Sequence, residues 1–382
     1  MNPYPRVSLG RILRRAQEPV TIEPSITYKQ ITVRLFHKGV TLRGEQLGAS
    51  IRSSRQWRAR AGQFILSRID ARSGAIGLVP PELDGAVVTN DFWLFDVDRS
   101  GGDPDFLDAY FGTADFVESC KRSSEGTTNR VRLQPNRFLN IEVPLPDPAE
   151  QRRIIGRIKE LAAKIDEARQ LGLKAETDAQ HLLLGRYREI IKGATLLPMR
   201  AVAPLVRRPV EVVATDEYKE LGIRSFGKGT FHKAALTGTE LGSKRIFRIE
   251  PGDLLFNIVF AWEGAVAVAV PEDAGRVGSH RFLTCVPENE AATSSFLCFH
   301  FLTEAGLEQL RQASPGGAGR NRTLGLEALA GIEVPVPTYE KQLAFDAIKS
   351  RLDEVGKMRK SGDGELGALL SSILFKAFSG EL

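Results

Sequence analysis

Apolar positions along this chain follow two different rhythms. Across residues 1–146 and 194–337 they come in short runs bounded by Gly, Pro and Asp. Phe64-Ile65-Leu66, Gly85-Ala86-Val87-Val88, Phe92-Trp93-Leu94-Phe95 and the stretch at 265–270 predict buried strands, because short apolar segments between turn signals suit a sheet covered on both faces. Residues 105–120 and 294–312 predict helices, with Phe106, Tyr110 and Phe111 spaced for one face. Elsewhere the spacing changes to steps of four and three: Ile154, Ile158, Leu161, Ile165 and Ala168, then Phe345, Ile348, Leu352 and Val355. That is a coiled-coil seam, so two long helices are expected over 147–193 and 338–382, pairing antiparallel to bury both seams.

The first helix has a well-marked start. Asp147 suits the cap, Pro148 the first helical position, and Glu150 falls where a capping-box carboxylate belongs. In the second helix Thr338 is the expected cap and Glu340 favours the positive end, while Lys341 takes the capping-box place. Gly172, Gly356, Gly362, Gly364 and Gly367 weaken these helices, and Ser361-Gly362-Asp363-Gly364 predicts a kink or short break. At ~1.5 Å per residue, about 45 residues from Pro148 would span ~65 Å.

The two rhythms recur because the chain is a tandem repeat. Tyr28-Lys29 returns as Tyr218-Lys219, a shift of 190, and Gly62-Gln63-Phe64-Ile65-Leu66 lies opposite Gly252-Asp253-Leu254-Leu255-Phe256 at the same shift. Phe92 matches Phe282, and Asp105-Phe106-Leu107 matches Ser295-Phe296-Leu297. Asn129-Arg130 pairs with Asn321-Arg322, and Ile141-Glu142-Val143-Pro144-Leu145-Pro146 with Ile332-Glu333-Val334-Pro335-Val336-Pro337. Six ordered matches at a nearly constant offset define two copies of one unit. The expected organisation is an α/β (α+β) domain over 1–146, a spacer helix over 147–193, a second domain over 194–337 and a second spacer helix over 338–382.

Composition narrows the class. A chain of 382 residues favours two or three domains. No run approaches the ~18 apolar residues of a membrane span, and Met1-Asn2-Pro3-Tyr4-Pro5 lacks the order of a signal peptide. Three cysteines, Cys120, Cys285 and Cys298, make no disulfide framework, which points to a reducing cytoplasm. The net charge of +5 is only mildly basic. Its distribution is more informative. Between Lys29 and Arg58 stand seven Lys/Arg (Lys29, Arg34, Lys38, Arg43, Arg52, Arg55, Arg58) against Glu45 alone. The register-matched window holds Lys219, Arg224, Lys228, Lys233, Lys244, Arg245 and Arg248 against Glu220 and Glu240. Two matched basic faces suit phosphate neutralisation, with Arg beside Ser, Asn or Gln able to reach base edges.

Catalytic motifs are scarce. Gly222-Ile223-Arg224-Ser225-Phe226-Gly227-Lys228-Gly229 fits G-x-x-x-x-G-K, but Gly229 stands where magnesium requires Ser or Thr, so a basic turn is expected. Cys285, Cys298 and His300 lack zinc-knuckle spacing, and Cys298 is expected as a buried thiol on an apolar helix. There is no G-x-S-x-G or H-E-x-x-H. Pro80-Pro81 is followed by Glu82, so the D/N-P-P-Y/F loop of an adenine methyltransferase is missing too. The chain is expected to catalyse nothing alone.

The residues Ile141-Glu142-Val143-Pro144-Leu145-Pro146-Asp147-Pro148-Ala149-Glu150-Gln151-Arg152-Arg153-Ile154 resemble the P-L-P-x-x-x-E-Q-x-x-I segment of specificity subunits of type I restriction–modification systems. Pro335-Val336-Pro337-Thr338-Tyr339-Glu340-Lys341-Gln342 is its partner, with Lys341 between the family's Glu and Gln. Gly252-Asp253-Leu254-Leu255-Phe256-Asn257-Ile258 and Ser67-Arg68-Ile69-Asp70-Ala71-Arg72-Ser73-Gly74-Ala75-Ile76-Gly77 look like strand motifs of a target-recognition domain. The ending from Leu374 to Leu382 is similar to the family's C-terminus.

The resemblance implies two target-recognition domains, each reading half of a split, asymmetric double-stranded DNA site. It also implies helices that hold the domains apart and dock two methylation subunits, with restriction subunits where present. S-adenosylmethionine would sit on the methylation partner, and this chain would carry no cofactor or metal of its own. The candidate DNA contacts are Arg52, Arg55, Arg58, Arg68, Arg72, Lys228, Lys233, Lys244, Arg245 and Arg248. Ile154, Ile158, Leu161, Ile165, Phe345, Ile348, Leu352 and Val355 are the candidate helix-pairing residues. The alternative reading is a tandem-repeat protein-interaction scaffold without DNA readout, which the matched basic faces disfavour.

Overall fold

Successive side chains of a strand point to opposite faces, and two central strands in each repeat use this to build two core layers at once. In the first repeat Phe64, Leu66, Trp93 and Phe95 face one core, while Ile65 and Leu94 face another. In the second, Leu254, Phe256, Leu283 and Cys285 face one way, and Leu255 and Phe282 the other. The computed structural model describes residues 3–53, 55–125, 131–288, 290–316 and 322–381. The matched Asn129, Arg130 and Asn321 lie outside the described residues. Chain contacts define two units, Met1–Gly172 with Lys360–Leu382, and Leu173–Arg359.

Each unit holds the same pair of sheets in the same order. In the first unit the four-stranded sheet runs Leu13–Ala16, Phe92–Val97, Phe64–Ser67, Ile76–Leu78. The five-stranded sheet runs Pro19–Thr21, Arg55–Arg58, Val87–Val88, Thr27–Val33, Val40–Leu47. The second unit repeats both, with Leu205–Val206, Phe282–Cys285, Leu254–Asn257, Val266–Val268, and with Pro209–Val210, Ile246–Arg248, Val277–Ser279, Glu217–Ile223, Thr230–Thr237. Pairing in these sheets is antiparallel except at Gln30 with Val87 and Glu220 with Val277. Even the irregularities repeat. The hairpin ladder slips beside Arg43 in one unit and beside Lys233 in the other, so each bulge carries a cation on an edge strand.

The helical runs are each broken in two. Residues 105–120 were expected as one helix but form Pro104–Phe111 and Ala114–Arg122. Residues 294–312 form Ser294–Leu302 and Glu304–Gln312. Thr113 and Thr303 are the reason: each accepts from a backbone N–H of the following turn and so starts a new helix. The strand expected at 85–88 is only Val87–Val88, since Gly85 turns at φ 79°.

Two long helices, Pro148–Ile191 and Tyr339–Ser379, complete the units. Asp147 caps the first, its Oδ1 accepting from Ala149 and Glu150 at 2.9 and 3.0 Å. Glu150 closes no capping box; its carboxylate takes Arg153 at 2.8 Å and the Tyr4 hydroxyl at 3.3 Å. In the first unit Ile154, Ile158, Leu161 and Ile165 share a core with Leu366, Leu370, Ile373 and Leu374, so the start of one helix meets the end of the other. In the second unit Leu183 and Tyr187 meet Phe345, Ile348 and Leu352, with Arg359 and Glu176 paired at 2.6 Å. Pairing is therefore antiparallel within each unit.

Two expectations fail here. Val355 is 55% exposed and stands off the seam, because the four-then-three spacing drifts around a helix after several turns. No break occurs at 361–364: helix continues through Gly362 and Gly364, because Leu366, Leu370 and Leu374 pack just beyond them. Packing outweighs the ~1 kcal/mol that each helical glycine costs. Among the described residues no helix is long and apolar enough to cross a membrane.

Candidate nucleic-acid interface

Both long helices are tied to their domains through one buried glutamine. Gln151 is fully buried; its Oε1 accepts from Asp103 N at 2.7 Å, and its Nε2 donates to the Gly101 and Pro146 carbonyls at 2.9 and 2.7 Å. Gln342 does the same, accepting from Thr293 N at 3.0 Å and donating to the Ala291 and Pro337 carbonyls at 3.1 and 2.9 Å. All three partners correspond between repeats. The glutamine of the P-L-P motif is thus the joint between helix and domain, which explains why Lys341 can replace its neighbour.

The candidate cations fall on two parts of each domain. Arg55 and Arg58 lie on the strand Arg55–Arg58, with Arg52 just before it; Lys244, Arg245 and Arg248 occupy the matching strand and its approach. Arg68 and Arg72 follow the strand Phe64–Ser67, and Lys228 and Lys233 belong to the hairpin Glu217–Ile223 and Thr230–Thr237. The helix-pairing candidates form no part of this surface.

Position by position, six of the seven cations in each basic window coincide at a shift of 190: Lys29 with Lys219, Arg34 with Arg224, Lys38 with Lys228, Arg43 with Lys233, Arg55 with Arg245, and Arg58 with Arg248. Only Arg52 and Lys244 have no cationic counterpart. These positions occupy equivalent strands and the same hairpin tip.

Local contacts separate the candidates. Arg58 faces Glu18 at 3.0 Å, and Lys244 is paired with the buried Glu220, so both are partly neutralised at home. Arg52, Arg55, Arg68, Arg72, Lys228, Lys233, Arg245 and Arg248 meet no carboxylate among the described residues. Several rest on aromatic rings instead: Arg55 lies 5.4 Å from the Trp57 ring, and Arg68 lies 5.0 Å from Trp93. Arg15 lies 4.8 Å from that same indole, and burial followed by the repulsion of Arg68 lowers its pKa. Burial and then Arg245 likewise lower that of Arg207 in the second unit. Each domain thus crowds like charges that an anion would relieve.

The remaining candidate chemistry resolves into structure. Gly222–Gly229 is a hairpin end followed by a strand, so no helix N-terminus stands behind it to receive phosphate. Cys120, Cys285 and Cys298 are all buried, and burial pushes each thiol up to about 12. His300 uses both ring nitrogens, Nδ1 with the Tyr187 hydroxyl at 2.6 Å and Nε2 with Gln309 Oε1 at 2.9 Å. Burial lowers its pKa, which fits a neutral ring accepting from tyrosine and donating to the amide. Among the described residues no three His, Cys, Asp or Glu side chains gather as a metal site.

Two tandem α/β domains joined to antiparallel helices define a recognisable architecture. No protein-family model and no curated protein matches this sequence. Solved structures do match its fold. An HsdS subunit from Thermoanaerobacter tengcongensis is similar at TM-score 0.63 and 20% identity, over 99% of this chain and 97% of that one. A chain from a structure addressing complex assembly and conformational transition of a type I restriction–modification system is similar at TM-score 0.71 and 20% identity, over 100% and 99%. The chain has the fold of HsdS subunits of type I restriction–modification systems over nearly its whole length.

Proposed function

We propose that this chain is a non-catalytic DNA-recognition subunit, its two domains each reading half of a bipartite, asymmetric site, and that it directs adenine-methylation subunits, and restriction subunits where present, to that site. The observation that carries the reading is the coincidence of six cations in two diverged repeats. Phosphates are the same in every half-site, so a surface that neutralises them can stay constant while its surroundings change.

The long helices supply the partner surface. Leu171, Leu173 and Leu182 on the first, and Val355, Met358 and Leu369 on the second, are exposed apolar residues that paired helices leave available to another protein. The fold neighbour solved in the context of type I complex assembly supports partners of that kind. S-adenosylmethionine would be held by the methylation partner, and the whole assembly would act in the cytoplasm.

Mapping methylated adenines in cells with and without this chain tests the reading. One split sequence should lose methylation when the chain is deleted. An unchanged methylation map overturns the proposal.

A further inference from the structure

The hairpin tips of the two domains share a motif. The first tip is Arg34-Leu35-Phe36-His37-Lys38-Gly39 and the second is Arg224-Ser225-Phe226-Gly227-Lys228-Gly229, which gives R-x-F-x-K-G in both. Each is closed by the same bond, Arg34 N to Gly39 O and Arg224 N to Gly229 O, both 2.9 Å. Each is then pinned to the turn after a central strand. Phe36 and His37 donate to the carbonyls of Ser73 and Gly74 at 2.8 and 2.9 Å, and Phe226 and Gly227 donate to those of Glu263 and Gly264 at 2.9 Å.

The phenylalanines are set at some conformational cost. Phe36 has φ 58° and Phe226 φ 62°, the left-handed region that a side chain with a Cβ avoids. Both residues are 73% exposed. Neither ring therefore supports the domain's core, and glycine would suit either backbone better. A strained, rigidly held, exposed aromatic ring kept in both copies calls for a partner. Charge says which. Lys38 stands 5.8 Å from the Phe36 ring and Lys228 5.9 Å from Phe226, with Arg34 and Arg224 at the base of each tip. Two nearby carboxylates are engaged: Asp108 faces His37 at 3.4 Å, and Glu263 accepts from Ser225 at 3.2 Å.

Resting on the DNA reading above, we infer that Phe36 and Phe226 are wedges, each inserted at one base step of its half-site while the adjoining Arg and Lys hold the flanking phosphates. Apolar wedges of this kind unstack a step and kink the duplex.

The test uses the full chain assembled with its methylation subunits and duplexes of the mapped site, with 2-aminopurine placed at successive positions away from the methylated adenines and their immediate neighbours, which the methylation subunits themselves unstack. Wild-type complex should raise fluorescence at one step in each half-site. Phe36→Gly should abolish one signal and Phe226→Gly the other, each weakening binding roughly tenfold, the scale of losing one base–aromatic contact. Glycine relieves the backbone at both positions, so folding should survive, and melting curves check this. Absence of any fluorescence rise in the wild-type complex, or signals that survive both substitutions, overturns the inference. So does loss of methylation subunits on gel filtration with unchanged DNA binding by the assembled fraction, which would make the tips a protein-docking surface. The underlying DNA reading fails separately, if the wild-type complex shows no preference for the mapped site.

Discussion

Replacing Gln151 with leucine keeps the volume of the side chain but removes three hydrogen bonds, leaving their backbone partners in place. The Asp103 N–H and the Gly101 and Pro146 carbonyls would each lose their bond to the amide. A stranded buried group costs about 1–3 kcal/mol. The Pro146 contact is enclosed, whereas the other two are partly open and water can recover some of their bonding. A total near 3 kcal/mol follows, which for a unit of this size lowers Tm by roughly 6–12 °C. The damage should also be local. Hydrogen exchange should quicken at residues 100–106 and 146–155 while the second unit keeps its protection, and Gln342→Leu should do the converse at 290–296 and 337–346. A Gln151→Leu protein melting within 1 °C of wild type, with unchanged exchange, would refute the idea that this amide joins helix to domain.

Three further outcomes are expected. Replacing Arg52, Arg55 and Arg58 should flatten the salt dependence of DNA affinity by about 1.8 in log–log slope, at ~0.9 per phosphate contact, because Arg58 is already paired with Glu18; the Lys244, Arg245 and Arg248 triple should match it, Lys244 being held by Glu220. His37 is opposed by burial, yet the hydrogen bond and charge of Asp108 outweigh that and raise its pKa, so its stabilisation is complete below the ordinary value near ~6.5 and fades as pH rises through the folded value. The Tm gap between wild type and His37→Gln should therefore narrow from pH 6 to pH 9. Four residues inserted between Ala175 and Ala179 lengthen the first long helix by ~6 Å; methylation should move to sites with about two more spacer base pairs, at ~3.4 Å each, and methylation retained only at the original spacing counts against the helices as a ruler.

How far the sequence foretold this molecule depended on whether a signal was local or relational. The cap at Asp147, the long seams and the central strands could be read directly, since each is stated by a few adjacent residues. The breaks at Thr113 and Thr303 were hidden inside apolar runs, where one hydroxyl decides between continuing a helix and starting another. Gly362 and Gly364 misled because their neighbours' packing is a tertiary fact. The role of Gln151 was invisible, as its three partners come from the loop before a short helix and from the chain's own approach. The second hairpin tip is legible only by relation: Gly222–Gly229 has the spacing of a nucleotide loop, while Arg34–Gly39 in the other copy carries its Arg, Phe, Lys and Gly.

The division between what the copies share and what they change also suggests where sequence is read. Backbone contacts carry no base information, so they can be identical in both domains, whereas base-reading side chains must differ if the half-sites differ. The exposed edge strands meet both conditions. Arg43 and Lys233 hold the bulges, and around them Leu42, Glu45 and Gln46 of the first copy correspond, at a shift of 190, to His232, Ala235 and Leu236 of the second. His232 is itself oriented, its Nε2 lying 2.9 Å from Asp273. Exchanging Leu42, Glu45 and Gln46 for their counterparts should therefore alter the bases accepted in one half-site, whereas Arg43→Lys should leave the sequence unchanged. Methylation mapping of the two variants distinguishes these effects. If the triple exchange leaves the methylated sequence intact, the edge strand contacts backbone alone and the bases are read elsewhere in the domain.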